Sequence, residues 1–161
     1  MRNIINQLNE SFPNTSALLI PAQNQDFSPL DSLDLPNDYF EIYDIINGEV
    51  ADSDGVFGLN RMLTLEESID GIVDNPDDLT CYSMDNVSAV VFVPIFQSPG
   101  RQQLGYAKLD DVWIFCEYDI GVEPWDQPAL SDFMHEFHSQ LISDGFIEDE
   151  ELRGLIATNN L

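Results

Sequence analysis

Thirty acidic side chains share this chain with only five basic ones, so at most five carboxylates can find a cationic partner within it. The remaining charge, formally -25, has to stay in contact with water, because an unpaired buried carboxylate is costly. A fold built from this sequence must therefore collect its apolar residues into a few clean stripes and turn nearly every acid outward. The apolar supply is sufficient: 43% of the residues are hydrophobic and 11% aromatic, far from the composition of a disordered acidic tail. A length of 161 residues suits one domain with a real core. Such a field repels nucleic-acid phosphate and anionic lipid and attracts basic proteins, whose association it steers toward rates of about 10⁸–10⁹ M⁻¹s⁻¹ at low salt. The same charge also fits plain solubility or a salty cell.

The stripes are readable. Ile4 to about Phe12 predicts a short helix ended by Pro13. Pro36 to Asn47 predicts a second, with Tyr39, Ile42, Tyr43 and Ile46 on one face and Asn47-Gly48 as a left-handed stop. Val56 to Leu59 reads as a short strand. Thr64-x-x-Glu67 is a capping box that opens a helix with Leu65, Ile69, Ile72 and Val73 inward, ended by Asp74-Asn75-Pro76. Val87 to Phe96 is a strand in which Pro94 implies an edge position or a bulge. Leu104–Leu109 and Val112–Tyr118 flank Asp110-Asp111 as a hairpin, the second strand apolar on both faces and so expected to be central. A further helix runs from about Ala129 to Ser143 with Leu130, Phe133, Met134, Phe137 and Leu141 inward. The acidic run Glu148–Glu151 is placed as the start of a short helical extension that docks through Leu152, Leu155 and Ile156. The expected architecture is α+β, an antiparallel sheet flanked by helices, in a single domain covering residues 1–161.

Chemistry-bearing motifs are scarce. His135-Glu136-Phe137-His138 is one residue short of the zinc-helix spacing, and no other histidine completes a site, so the two imidazoles are expected at the edge of an amphipathic helix and no metal is assigned. Asp52-Ser53-Asp54-Gly55 resembles a calcium loop but has Val50 and Arg61 where acids are needed. Asp77-Asp78 and Asp110-Asp111 are adjacent pairs that so acidic a chain produces by chance, and nothing in the sequence desolvates one partner of either pair. There is no nucleophile elbow, phosphate loop or dinucleotide fingerprint. No catalytic residue and no cofactor is assigned. Cys81 and Cys116 lie far apart in apolar surroundings and are expected as two buried thiols, a disulfide between them being the alternative without sequence support. No apolar run reaches the length of a membrane span or a signal peptide, and a cytoplasmic location is expected.

Leu35-Pro36-Asn37-Asp38-Tyr39, leading to Asn47-Gly48, resembles the "L-P-x-D-Y … N-G" segment of the SUKH superfamily. Phe57-Gly58-Leu59 followed by Leu63-Thr64-Leu65-Glu66-Glu67 is similar to that family's short strand and "L-x-S-L-E-E" helix start. Val112-Trp113-Ile114 and Leu130-Ser131-Asp132-Phe133 resemble its late strand and closing helix, so the likeness extends over roughly residues 30 to 143. Val91–Ile95 keeps the family's proline without its tryptophan, and the next strand carries Lys108-Leu109-Asp110. The superfamily includes yeast Smi/Knr-type cell-wall synthesis regulators and many bacterial immunity proteins. The resemblance implies an α+β domain without catalytic residues that neutralises a cognate toxin, in many cases a basic nuclease. The alternative it implies is a regulatory or scaffold protein of the same fold that binds an endogenous partner. Glu49, Asp52 and Asp54, then Asp74, Asp77 and Asp78, then Asp110 and Asp111, are the acidic loop residues expected to meet a basic partner, with Trp125 as an exposed aromatic anchor.

Overall fold

The computed structural model describes residues 2–76, 80–81, 87–100, 102–118, 129–143, 145–148 and 151–158. Its framework is a meander of three long antiparallel strands, β6 (Val87–Gln97), β7 (Gln103–Leu109) and β8 (Val112–Tyr118). Three short strands line the other side of β6 in succession: β3 (Arg61–Met62) beside Gln97 and Phe96, β4 (Val73–Asp74) beside Phe92 and Val91, and β5 (Thr80–Cys81) beside Ser88 and Val87. Helices and antiparallel strands together make the fold α+β.

Pro94 is accommodated within β6 because helix α4 (Leu65–Asp70) lies between β3 and β4, where a neighbouring strand would otherwise need its N–H. The buried hydroxyl of Ser68 on α4 donates to the Pro94 carbonyl and accepts from Tyr39 Oη. A break in register between Pro94 and Phe96 turns the consecutive residues Ile95 and Phe96 both into the main core. Across the sheet Gly105 faces this point; a Cβ there would stand 2.1 Å from the Val93 carbonyl oxygen. The bulge alternative thus holds for β6, but the strand is central rather than an edge. The converse applies to β8, expected as central: among the described residues it ends the sheet path. Its two apolar faces are nonetheless both used, Phe115 in the main core and Ile114 with Cys116 in a smaller cluster around Phe92 on the opposite face. Cys116 is buried as expected, whereas the side chain of Cys81 lies outside the described residues.

The main core sits between the sheet and helices α1 (Arg2–Ser11), α3 (Asn37–Tyr43) and α5 (Leu130–Ile142). Ile4 and Leu8, Tyr39, Ile42 and Tyr43, and the whole expected stripe of α5 from Leu130 to Leu141 are buried in it. Pro13, expected to end α1, opens a one-turn helix α2 (Pro13–Ser16), where its missing N–H has no cost. The second helix is shorter than its sequence suggests. It closes at Tyr43, and Ile46 to Glu49 form β2, paired antiparallel with β1 (Leu19–Pro21). Gly48 does take a left-handed φ of 78°, but to let β2 cross another segment: a Cβ there would lie 2.4 Å from the Leu63 carbonyl oxygen. Val56–Leu59 forms a turn rather than a strand, and α4 stops at Asp70 so that Val73 and Asp74 can pair with β6.

Among the described residues the C-terminal segment is built from strands where a helical extension is expected; Asp149 and Glu150 lie outside the described residues. β9 (Phe146–Glu148) and β10 (Leu155–Ala157) form an antiparallel pair, because alternation suits these residues better than helical spacing: Phe146 and Leu155 enter the core while Ile147 faces out. Glu148 accepts from the Thr15 N–H (2.8 Å) and Asn14 Nδ2 (3.2 Å) and so ties the pair to α2.

Asp38 and Tyr106 join three elements. Ala129 gives α5 no side-chain cap; instead Tyr106 Oη accepts from the Leu130 N–H (2.9 Å) and Asp38 Oδ2 from the Ser131 N–H (3.0 Å). Tyr106 Oη in turn donates to the Asp38 carboxylate at 2.8 Å. The aspartate of the L-P-x-D-Y segment is thus a cap for a helix more than ninety residues away. Asp38→Ala is expected to cost about 1–3 kcal/mol in urea unfolding and to speed amide exchange in the first turn of α5. Because the two side chains serve one cap, Asp38→Ala combined with Tyr106→Phe should cost less than the sum of the single changes. Additive losses would show the two groups to act separately.

Candidate functional site

The described residues among the acids expected at a partner surface are distributed over two regions of the fold. Glu49, at the end of β2, packs near Met62 and so beside the Phe96 end of β6, whereas Asp74 pairs with Val91 and the Asp110-Asp111 turn lies beyond Ala89. Five or more strand residues separate the two regions, on the order of 20 Å.

In the first region Glu49 departs from expectation. It is fully buried, not a surface contact. Oε1 accepts from the Met62 N–H (2.7 Å), and Oε2 from the Ser53 hydroxyl (2.5 Å) and the Val56 N–H (3.0 Å). The carboxylate therefore closes the segment from residue 49 to 62 from within, in the way that a backbone strand pair would. Burial pushes its pKa up to about 7, opposed by these three donors and by the nearby Arg61. Beside it, Asn47 Oδ1 accepts from the Leu65 N–H (2.9 Å), and the capping box at Thr64 and Glu67 forms in full. Arg61 grips Glu67 through two hydrogen bonds, at 3.0 and 3.1 Å. Partial desolvation of Glu67 works against its charge, yet the Arg61 fork and the Thr64 N–H hold its carboxyl below the usual value.

Asp52 and Asp54 are engaged with the C-terminal strand pair. Asp54, half-buried, accepts from the Arg153 N–H (2.9 Å) and donates its own N–H to the Arg153 carbonyl (2.8 Å). Asp52 is exposed and forms an ion pair with the Arg153 guanidinium. Gly55 and Gly154 lie against each other, where a Cβ on Gly154 would meet the Gly55 oxygen at 2.4 Å. Nothing in sequence spacing foretold this closure across a hundred residues.

The second region keeps its acids free for outside contact. Asp74, Asp110 and Asp111 are all exposed, and Asp110 turns the hairpin with φ at 51°, a conformation aspartate tolerates. Two large apolar residues are exposed at the same end of the sheet, Val90 at 44% and Val112 at 54%. Exposed apolar groups among carboxylates are what a protein-contact surface presents, and this combination was not anticipated because Val90 and Val112 read as strand interior. Asp77, Asp78 and Trp125 lie outside the described residues.

Among the described residues no group of three or more His, Cys, Asp or Glu is arranged to hold a metal ion, and His135 and His138 sit on α5 at its exposed and half-buried margins. No helix among the described residues is long and apolar enough to cross a membrane. Glu49, a buried carboxylate of raised pKa, lines none of the clefts formed by α1, α3 and α5, by α2 and β9, or by α5 and β9.

Because the folded-state pKa of Glu49 lies above its ordinary value of 4.5, the folded protein holds this proton more tightly than the unfolded chain. Its contribution is most favourable below pH 4.5 and declines as pH rises through about 7. Glu49→Gln places an amide N–H against a backbone or hydroxyl donor and should lower stability by about 1–3 kcal/mol at pH 5. The gap should narrow by roughly 2–3 kcal/mol toward pH 8 as only the parent protein loses stability through this group. Urea unfolding at four pH values checks it; a gap constant from pH 5 to 8 would mean that Glu49 titrates alike in both states. No protein-family model matches the chain, and no curated protein matches it in sequence.

Proposed function

We propose that this chain is a non-catalytic protein-binding domain, an immunity protein that neutralises a cognate basic toxin by covering its functional surface. One observation carries the reading: the negative charge has no internal counterpart. Two of the chain's five cations, Arg61 and Arg153, are already taken up by Glu67 and Asp52, and Lys108 stands over the Trp113 ring at 5.7 Å. Among the described residues the carboxylates with a clear structural duty, Asp38, Glu49, Asp54, Glu67 and Glu148, are a small part of the chain's thirty. The others add to an outward field that favours a cationic partner, and the exposed Asp74, Asp110 and Asp111 lie at the same end of the sheet as the exposed Val90 and Val112. A nuclease is the natural target, since it must be basic to hold phosphate and an acidic surface can occupy its cleft in place of nucleic acid. The engagement of Glu49 by three protein donors supports a structural rather than an acid–base role for it. The likeness of the L-P-x-D-Y and N-G segments to SUKH proteins supports the same reading, and a cytoplasmic location goes with it.

Co-expression with the open reading frame next to this gene tests the proposal. If that frame encodes a toxin, co-expression is expected to restore growth and to yield a stable complex. Association of that complex should slow about tenfold or more between low and high salt, because exposed charges are screened beyond about 8–10 Å. The triple change Asp74→Lys, Asp110→Asn, Asp111→Lys, which keeps at 110 a residue that tolerates its left-handed φ, should slow association further with little effect on stability. Growth not restored, or association indifferent to both salt and charge reversal, would count against the proposal, and a neighbouring frame without toxicity would favour the regulatory alternative.

A further inference from the structure

A small aromatic cleft opens where the turn at residues 57–60 meets α5 and β9. Phe57 and Asn60 exchange backbone hydrogen bonds at 3.3 and 3.4 Å, and the two residues between them, Gly58 and Leu59, have φ of 67° and 65°. This is the geometry of a two-residue turn with both central residues left-handed. Gly58 adopts it without strain, but a leucine there costs about 1–2 kcal/mol. Asn60 steadies the turn through Nδ2, which donates to the Phe57 carbonyl at 3.0 Å. A strained turn persists where its surroundings over-determine it, and here it holds one wall of the cleft in place.

The cleft has a volume of about 190 Å³ and is lined by Phe57, Phe133, Phe137 and Phe146, with Glu136 and Gln140 on its rim. The rings of Phe57 and Phe137, and of Phe137 and Phe146, have centroids 5.1 Å apart. Gln140 Nε2 donates to Glu136 Oε1 at 3.1 Å, which orients the carboxylate at the mouth. The volume is below the roughly 300 Å³ at which pockets for drug-sized ligands begin, and it suits one side chain. An apolar side chain would strip water from Glu136 with nothing in return. A lysine would answer the charge only as a point charge, without the fork that grips both carboxylate oxygens. Arginine satisfies both demands: its stem and planar guanidinium pack on aromatic surfaces, and its N–H groups fork onto a carboxylate.

We infer that this cleft seats a single arginine side chain of a basic protein partner, with the guanidinium paired to Glu136 and the stem against the accessible edges of Phe133, Phe137 and Phe146. The inference rests on the reading of the chain as a binder of a cationic protein, and it names a point at which such a partner would be anchored. Anchors of this kind, an arginine filling an aromatic pocket, carry a disproportionate share of binding energy in protein interfaces.

The test titrates isotopically labelled protein with N-acetyl-arginine amide and follows it by NMR, with N-acetyl-lysine amide and N-acetyl-leucine amide as comparisons. Saturable shifts are expected at Gly58, Phe137, Phe146 and Ala157 with the arginine probe, which should bind more tightly than the other two. Glu136→Gln should weaken it about two- to fivefold, the range of an exposed ion pair, while Glu10→Gln, which removes an equal charge at an exposed position of α1, leaves it unchanged. Ala157→Met, which fills the cleft, should abolish the shifts in a protein whose circular dichroism is unaltered. The inference is overturned if the leucine probe binds as tightly, if Glu10→Gln weakens binding as much as Glu136→Gln, or if the shifts spread over the acidic loops. Growth restored without arginine in the cleft counts against the cleft alone, whereas arginine seated in a protein that restores no growth counts against the immunity reading alone.

Discussion

The carboxylate of Glu49 is the constraint on which one whole side of this molecule depends. A side chain with three donors aimed at it fixes Ser53, Val56 and Met62 at once, and with them the turn at 57–60 and the start of β3. Gly48 and Asn47, its neighbours, let β2 cross close to Leu63 and hold the N-terminus of α4. The three consecutive residues Asn47, Gly48 and Glu49 therefore work as a junction: an amide that caps, a glycine that yields space and an acid that gathers backbone donors. Removing any of them disturbs elements that the other two hold.

The same chemistry appears in two different uses. Carboxylates drawn inward are each met by several donors, as at Glu49, Asp38 and the Arg61–Glu67 fork; at Glu67 these outweigh the loss of hydration, whereas at Glu49 they oppose it without cancelling it. Those left outside are answered by water, and their mutual repulsion lowers the stability of the compact state. A chain that tolerates this repulsion holds a reserve of electrostatic free energy that a cationic surface releases on contact. In the complex proposed above, association would relieve this repulsion as well as form new contacts.

Much of the architecture was legible in the residues themselves. The stripe of α5, the capping box at Thr64, the β7–β8 hairpin and the bulge at Pro94 follow from local periodicity and turn chemistry, which the tertiary fold did not override. The departures have a shared cause. Ile46 and Asn47 continue the helical pattern up to its expected stop at Gly48, but pairing with β1, a partner some twenty-five residues earlier, takes precedence. The segment after Gly145 looks helical from its acids and is drawn into a strand pair by the inward-facing Phe146 and Leu155. Of the acids expected at a surface, Glu49 was misplaced because composition says how many carboxylates must face water and is silent on which of them do not. The cleft on α5 was hidden for a related reason: Phe133 and Phe137 have the spacing of an ordinary core stripe, and only the arrival of Phe57 and Phe146 from distant segments makes a recess of them.

The arrangement of strands along β6 has a consequence for how the protein is made. β3, β4 and β5 are each two residues long, and their shared partner is synthesised after all three. On the ribosome the earlier segments thus emerge without a template, while β6, β7 and β8 can assemble by short-range contacts as soon as they appear. The meander is in this sense the late-arriving scaffold on which the first half of the chain is laid down, and the like charges of that first half keep it apart from its neighbours while it waits.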